Sequence, residues 1–377
     1  MKIRAGFTEN SSSMETHESY MSRALALARK ADGRTSPNPM VGAVIVKNGT
    51  IVGEGWHKKA GLPHGEIVAL RKAGPRAKGA QLYVNLEPCC HYGKTPPCTD
   101  AIVAAGIRKV VVGMKDPNPR MRGKGLRQLR KSGIEVETGI LEKECRRLNE
   151  VFAKFIQTGR PFVILKAAMS LDGKIATRSG QSRWITGVKA REEAHRMRGR
   201  VDAILVGTGT VVKDNPFLTT RLRKKAVKHP VRVILDHNHR IPLTANVFKN
   251  TGTQRTLYAT GTKPPAPRKE KLLRKGVEIL VVREKDRRAD LKHLMTLLGG
   301  MGVTSVLIEG GGEVHASALR DGIVDRAVFF VAPIIIGGRE AAAAVSGEGI
   351  GYLKKAWKIK NMEIRLVGED LMVEGTL

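Results

Sequence analysis

Residues 63–70 read P-H-G-E-I-V-A-L, and residues 86–100 read L-E-P-C-C-H-Y-G-K-T-P-P-C-T-D. His64 and Glu66 stand two residues apart at the expected start of a helix over 66–73. Cys89 and Cys98 follow a strand-like run, 81–86, with Pro88 just before the first cysteine. One imidazole and two thiolates give zinc three protein ligands, and a catalytic site keeps the fourth position for water. Zinc brings the pKa of such a water close to neutral, and a nearby carboxylate that does not bind the metal can carry its proton. Glu66 suits that second task. A closed structural site would require a fourth Cys or His and would leave the H-x-E pair without a purpose.

The pattern H-x-E…P-C-x-x-C is the signature of zinc deaminases acting on cytosine or adenine. Here eight residues separate Cys89 from Cys98 where the signature has two, and Cys90 and His91 inside the gap are open to reading as ligands. The stretched spacing P-C-x-H-Y-G-K-T-P-P-C, with S-P-N-P-M-V-G-A-V-I-V at 36–46, closely resembles the deaminase half of the bifunctional deaminase/reductase family of riboflavin biosynthesis. That resemblance implies that His64, Cys89 and Cys98 hold zinc and that Glu66 transfers protons. Cys90 falls where relatives often have a small residue, which places it beside the site and not on the metal.

With 377 residues the chain is long enough for two domains. Four cysteines, three of them in one stretch, are not a disulfide framework. A polar N-terminus and the lack of a long apolar run imply a cytoplasmic protein that does not enter a membrane. Lys plus Arg exceed Asp plus Glu by 66 − 35 = 31, which raises a rival reading: a nucleic-acid-directed deaminase with a basic binding domain. The cations are dispersed, however, and only 4% of residues are aromatic, whereas single-strand binders interleave charge with stacking rings. The balance is against nucleic acid. A further rival is a zinc-stabilised scaffold, or a chain in which one half alone turns over.

Periodicity predicts a helix over 14–32, a hairpin (41–46 and 51–55 around Asn48-Gly49), then strands and helices in alternation: strand 81–86, helix 99–105, strand 109–113, helix 123–132, strand 134–137 and helix 141–158. A helix-covered, largely buried sheet follows. Beyond Thr158-Gly159-Arg160-Pro161 the pattern restarts. Strands are expected at 162–168, 202–207, 231–235, 255–259, 277–282 and 303–308, with helices near 189–200, 290–299 and 313–321. The run 327–336 reads as one strand and its continuation, and the end as a hairpin around Gly368-Glu369-Asp370.

Three later segments carry chemistry: L-K-A-A-M-S-L-D-G-K-I-A at 165–176, V-G-T-G-T-V-V-K-D-N-P-F-L-T-T-R at 206–221 and L-I-E-G-G-G-E-V-H-A-S at 307–317. A glycine triplet between a buried strand and a helix offers bare N–H groups to a phosphate. It is not G-x-G-x-x-G, which speaks against a standard Rossmann unit. In this order the segments resemble the reductase half of the same family, which has a dihydrofolate-reductase-like fold and uses NADPH. By position, the resemblance sets NADPH against Ala168, Trp184, Thr210 and Asp214, and against the loop of Gly311, Gly312, Glu313, Val314, His315, Ala316 and Ser317. It sets the substrate against Ser182, Arg198, Leu218, Arg221 and Glu309, and matches Lys166 to a lysine proposed to act on the sugar. Arg198 and Arg221 suit bidentate phosphate contact. Asp172, within S-L-D-G-K, reads as a turn residue.

The expected fold class is α/β, a cytidine-deaminase-like three-layer domain followed by a dihydrofolate-reductase-like domain. The expected limits are a flexible extension over 1–14, a zinc deaminase over 15–158 and an NADPH-dependent reductase over 161–377. The resemblance implies a phosphorylated aminopyrimidine substrate, one zinc ion per chain, NADPH, and a homo-oligomer.

Overall fold

The computed structural model describes residues 16–92, 96–222, 228–286 and 288–377. The extension expected over 1–14 lies outside them. The chain divides between Gln157 and Thr158 into two compact units.

In the first unit, β1 (Gly42–Lys47) and β2 (Thr50–Trp56) form the expected hairpin. Asn48 and Gly49 at its tip take φ of 49° and 75°, the left-handed pair that a two-residue turn of this hand requires. With β3 (Gln81–Leu86), β4 (Lys109–Met114) and β5 (Glu135–Thr138) they make a five-stranded sheet in the order β2-β1-β3-β4-β5. The hairpin and the β1–β3 pair are antiparallel; β3, β4 and β5 run parallel.

Helices cover both faces. A Cβ on Gly42 would overlap the Ala24 carbonyl of α1 (His17–Arg29), and one on Gly113 would overlap the Cys145 sulfur of α5 (Glu142–Leu148). On the other face, Cβ atoms at Gly53 and Gly55 would strike the backbone of α2 (Gly65–Ala73). Beside α2 pack α3 (Cys98–Ala104) and α4 (Lys124–Lys131). The result is a three-layer sandwich around a continuous apolar core.

The helix expected over 141–158 is two helices, α5 and α6 (Glu150–Thr158). The break falls at Asn149, whose buried side chain accepts from the Met40 N–H at 2.8 Å and donates to the Met40 carbonyl at 3.1 Å. Asn85 binds the Met40 carbonyl as well, at 2.9 Å, and accepts from Gly42 N–H at 2.8 Å. Two asparagines thus clamp the chain at Met40 and Gly42.

The second unit is built on β6 (Phe162–Ser170), β7 (Ala203–Gly207), β8 (Val231–Leu235), β9 (Thr256–Thr260) and β10 (Glu278–Val281). A short hairpin, β11 (Glu284–Lys285) and β12 (Arg288–Ala289), stands apart; β13 (Ser305–Ile308), β14 (Arg326–Ala332), β15 (Lys360–Val367) and β16 (Asp370–Thr376) complete the unit. The nine-stranded order is β10-β9-β8-β7-β13-β6-β14-β16-β15. It is parallel from β10 to β14 and antiparallel across β14, β16 and β15. The crossover helices are α7 (Val188–Arg200), α8 (Thr208–Asp214), α9 (Ala266–Arg274), α10 (Leu291–Gly300) and α11 (Gly312–Arg320).

Two of these helices, α8 and α9, were not expected. T-G-T-V-V-K-D in α8 is rich in β-branched residues and contains glycine, so propensity argues against it. It forms because the chain must turn back after β7. The strand expected over 327–336 stops at Ala332, because Pro333 follows and the Ile336 and Gly337 N–H groups turn to bind Asp172. Asp172 is the turn residue its neighbours implied. Among the described residues no helix is long and apolar enough to cross a membrane.

Candidate functional site

In the first unit three chain segments deliver ligands to one point. His64 is the N-cap of α2, Cys89 lies in the loop after β3, and Cys98 opens α3. Their donor atoms all lie within 4.8 Å of one another. His64 Nδ1 is 3.2 Å from Cys98 Sγ and 3.5 Å from Cys89 Sγ. Imidazole and two sulfurs at this spacing fit a tetrahedral zinc with one position open. Glu66, in the first turn of α2, is buried, and its Oε2 has no hydrogen-bond partner in the protein. A buried carboxylate oxygen left without a donor calls for a ligand or a proton. Cys90 and His91 do not join the trio: Cys90 Sγ lies 3.8 Å and His91 Nδ1 3.2 Å from Met121 Sδ.

Burial pushes the Glu66 carboxyl above its ordinary range. The Cys98 thiol, donating to Cys89, is pushed up, while Cys89, which receives that bond and another from His64, is pulled down. A metal held there would take both sulfurs as thiolates, so its binding would release the proton the pair shares.

A cavity of about 390 Å³ opens onto this point, lined in part by Asn38, His57, Asp116, Asn118 and Phe155. His57 packs edge-on against the His64 ring at 5.3 Å. Its Nδ1 faces the Pro63 carbonyl at 3.2 Å, a pure acceptor, so Nε2 is left to accept from Asn38 Nδ2 at 3.1 Å. Burial lifts Asp116 to about 6, assisted by Glu87 nearby and opposed by the Asn118 N–H. Glu87 itself is buried and accepts from the Asp116 and Gly125 N–H groups at 3.0 Å each, which ties the start of the cysteine loop to α4. Sequence reasoning missed these residues. D-P-N-P at 116–119, echoing N-P at 38–39, was the available signal.

In the second unit a cavity of about 720 Å³ gathers Lys166 and Ala168 of β6, Ser182, Thr210 and Asp214 of α8, Glu309, and most of the 311–317 loop. Ala316 is outside this lining and faces Gly347 instead. Gly312 is required by contact, since a Cβ there would overlap Ser346 Oγ, and Gly311 has φ 72°. Ser182 donates to Asp214 at 2.8 Å, joining two of the expected residues. An adjoining cavity of about 440 Å³ adds Trp184, Arg198 and Arg221 to Lys166, Ala168 and Ser182. Buried Leu218 lines a third recess with Arg221 and Glu309.

The arginines differ. Arg198 is not open to a phosphate fork: Nε and Nη2 each donate to a Glu309 oxygen at 2.7 Å, and Nη1 donates to the Thr219 carbonyl. Burial alone would raise the Glu309 carboxyl, yet Arg198 and Lys166 hold it down at about 2. Arg221 is exposed, with its backbone N–H donating to His195 Nδ1 at 3.2 Å. Burial, with Arg198 and Arg221 beside it, lowers His195 to about 4, so it stays neutral. Burial also lowers the Lys166 ammonium, against the pull of Glu309. Trp184 is exposed, with the Arg191 guanidinium 4.5 Å from its ring centroid.

A helix-covered mixed sheet with a His/Cys/Cys site, followed by a mostly parallel sheet with a long glycine-walled cavity, defines the class: a zinc-binding deaminase domain joined to a reductase domain. Residues 14–114 match the zinc-binding region of cytidine and deoxycytidylate deaminases, and residues 161–373 match the RibD C-terminal domain. The chain belongs to the RibD family of riboflavin-biosynthesis proteins. It is 44% identical over 365 residues to the riboflavin biosynthesis protein RibD of Actinobacillus pleuropneumoniae, covering 97% of this chain and 96% of that one. The Acinetobacter baumannii RibD structure superposes with a TM-score of 0.85 at 38% identity, over 96% of this chain and 99% of that one. A Thermotoga maritima diaminohydroxyphosphoribosylaminopyrimidine deaminase/5-amino-6-(5-phosphoribosylamino)uracil reductase superposes with a TM-score of 0.84 at 39% identity, over 96% and 98%. The protein is therefore a bifunctional deaminase and reductase of riboflavin biosynthesis, as the sequence resemblance implied.

Two expectations follow. Cys98→Ala should drop zinc, read by atomic absorption on the purified chain, from about one per chain to well below half; full retention would remove Cys98 from the site. Glu309→Gln leaves the Arg198 charge buried and unpaired, a loss of about 3–5 kcal/mol at neutral pH. Because the folded carboxyl sits at about 2, below its unfolded value of about 4.3, this contribution is complete above that value and fades as pH falls towards 2. Urea unfolding of both proteins between pH 7 and pH 3 should show the gap closing, and a gap that stays constant would contradict the pair's role.

Proposed function

We propose that the first unit removes the amine of a 2,5-diamino-6-(ribosylamino)-pyrimidinone 5′-phosphate and that the second reduces the ribosyl group of the product to a ribityl chain with NADPH. The orphaned, buried Oε2 of Glu66 beside the His64–Cys89–Cys98 trio carries this reading. Bound there, zinc supplies a water acidic enough to ionise near neutral pH. His64, Cys89 and Cys98 would hold the metal. Glu66 takes a proton from the attacking water and returns one to the departing amine, which leaves as ammonia. Its raised pKa suits both directions of that transfer. His57, held neutral by burial and fixed by Pro63 and Asn38, keeps the His64 ring in orientation.

In the second unit Ala168, Trp184, Thr210, Asp214 and the loop 311–317 would receive NADPH, which supplies the hydride for the ribosyl C1. The glycines of the loop let backbone N–H groups approach the cofactor phosphates at the start of α11. Ser182, Leu218, Arg221 and the Arg198–Glu309 pair would hold the substrate, with Arg221 the open cation for its phosphate. Lys166, buried and with a lowered pKa, is suited to pass a proton to the sugar oxygen as the ring opens.

The protein would act in the cytoplasm as a homo-oligomer. The exposed apolar row Met362, Ile364 and Leu366 on β15, with Leu371 on β16, supports the assembly. A monomer in sedimentation equilibrium at micromolar concentration would exclude it.

The decisive assay follows ammonia and NADPH together on zinc-loaded protein. Ammonia should appear without NADPH, and NADPH oxidation should begin only after deamination. Glu66→Gln should lower ammonia release by roughly 10²–10⁴-fold, the usual worth of a positioned acid–base group, with zinc content intact. Undiminished ammonia release from that variant would remove Glu66 from the mechanism.

A further inference from the structure

Beside the zinc trio the first unit gathers a second set of soft donors. Cys89 turns its sulfur towards His64, whereas the next residue, Cys90, turns its own towards Met121 in the loop after β4, with Sγ 3.8 Å from Sδ. His91 Nδ1 lies 3.2 Å from the same Sδ. Met121 is buried, Cys90 is partly buried and His91 is exposed, so the three run from the interior to the surface. Among the described residues neither Cys90 nor His91 has another side-chain partner.

The backbone holds these donors in place. Glu87, three residues before Cys90, accepts from the Asp116 and Gly125 N–H groups, which stand on either side of Met121 in the chain. Between them Asn118 shapes the turn: its side chain accepts from the Arg120 N–H at 3.0 Å, and its carbonyl accepts from the Met121 N–H at 2.9 Å. The Lys124 N–H closes on the Met121 carbonyl at 2.9 Å. One buried carboxylate therefore fastens the cysteine loop to the turn that carries the thioether, and the spacing of the donors is set by the fold. Atoms that share one metal ion at bonds of about 2.0–2.3 Å stand roughly 3–4 Å from one another. Both contacts to Met121 fall in that range.

We propose that Cys90, His91 and Met121 form a Cu(I) site separate from the zinc trio. Thiolate, thioether and imidazole together are a donor set that selects Cu(I). Zinc draws on thiolate, imidazole and carboxylate, so the methionine sulfur is what sets this group apart from the trio. On binding, Cu(I) forms bonds to Cys90 Sγ, His91 Nδ1 and Met121 Sδ. The one bond lost is Cys90 S–H, whose proton passes to solvent. A monovalent cation replaces a proton, the charge of the site is unchanged, and copper keeps its oxidation state throughout. His91 also lines the cavity in front of the trio, which gives the ion its way in.

The test adds Cu(I), as its acetonitrile complex under nitrogen, to the full zinc-loaded chain and to its Cys90→Ser and Met121→Leu variants. Bathocuproine disulfonate serves as the competing chelator. The wild type should take up one Cu(I) per chain and keep its zinc, and X-ray absorption at the copper edge should show sulfur and nitrogen neighbours together. Met121→Leu conserves volume, and both variants should stay folded and zinc-loaded by circular dichroism and atomic absorption. Each should bind Cu(I) at least about tenfold more weakly than the wild type. Zinc release in step with copper uptake by the wild type would place copper on Cys89 and Cys98 and overturn the proposal. Equal affinities in the wild type and the two variants would overturn it as well. Should a variant lose its fold, the wild-type copper spectrum and zinc content still decide: a copper edge without sulfur neighbours would remove the site.

Discussion

The metal-ligand trio depends on how closely α2 can lie on the hairpin strand beneath it. Gly53 and Gly55 of β2 leave bare backbone where any side chain would strike the helix, so α2 settles directly on the sheet. Its N-terminal end, and with it His64 and Glu66, is thereby brought to the edge of the sheet where β3 ends and Cys89 begins. Pro88 and Gly125 meet on the other side: a Cβ at Gly125 would overlap the Pro88 carbonyl, and Glu87 binds the Gly125 N–H. The site is thus a consequence of close packing between backbones, with the chemistry-bearing side chains added at the contact points. Interiors packed this densely hold such geometry because side chains have few other places to go.

Both units then use burial to choose protonation states. Glu66 is raised, Lys166 and His195 are lowered, and Glu309 is lowered despite its burial because two cations face it. The directions set these groups apart. A raised carboxyl and a lowered ammonium can each exchange protons nearer neutral pH than their ordinary values allow. Glu309 held at about 2 cannot; with Arg198 it forms a fixed charge pair that shapes the recess.

How much of this is legible in the sequence follows from distance along the chain. His64 and Glu66 are local, and the cysteines follow a strand that announces itself by composition, so the residues alone point to a zinc site, while the choice of Cys89 and Cys98 over Cys90 and His91 comes from the family resemblance. The long β-strands and α7, α10 and α11 are legible for the same reason. The break at Asn149 is not, because its partner, Met40, is 109 residues away. Nor is the Arg198–Glu309 pair, 111 residues apart, which turns an expected phosphate ligand into a structural cation. Helix α8 is hidden by its β-branched composition. Among the lining residues, His57 carries no motif, and Asp116 is marked only by the short D-P-N-P run; both reach the cavity wall only through folding.

The excess of 31 positive charges is therefore a poor guide to function, and the individual environments explain why. Many arginines are engaged in exposed ion pairs, such as Arg23 with Glu54 and Arg255 with Glu278, worth little on their own. Arg232 is wholly internal, donating to Thr256 Oγ1 and to the Lys249 and Gln254 carbonyls, and serves the packing of β8. What sets the remaining cations apart is what surrounds them. Lys166 is desolvated, Arg198 is locked to a carboxylate, and Arg221 is exposed, with its guanidinium beside the His195 ring. Net charge counts all of these alike, whereas burial and partner give each a different protonation equilibrium and a different reach.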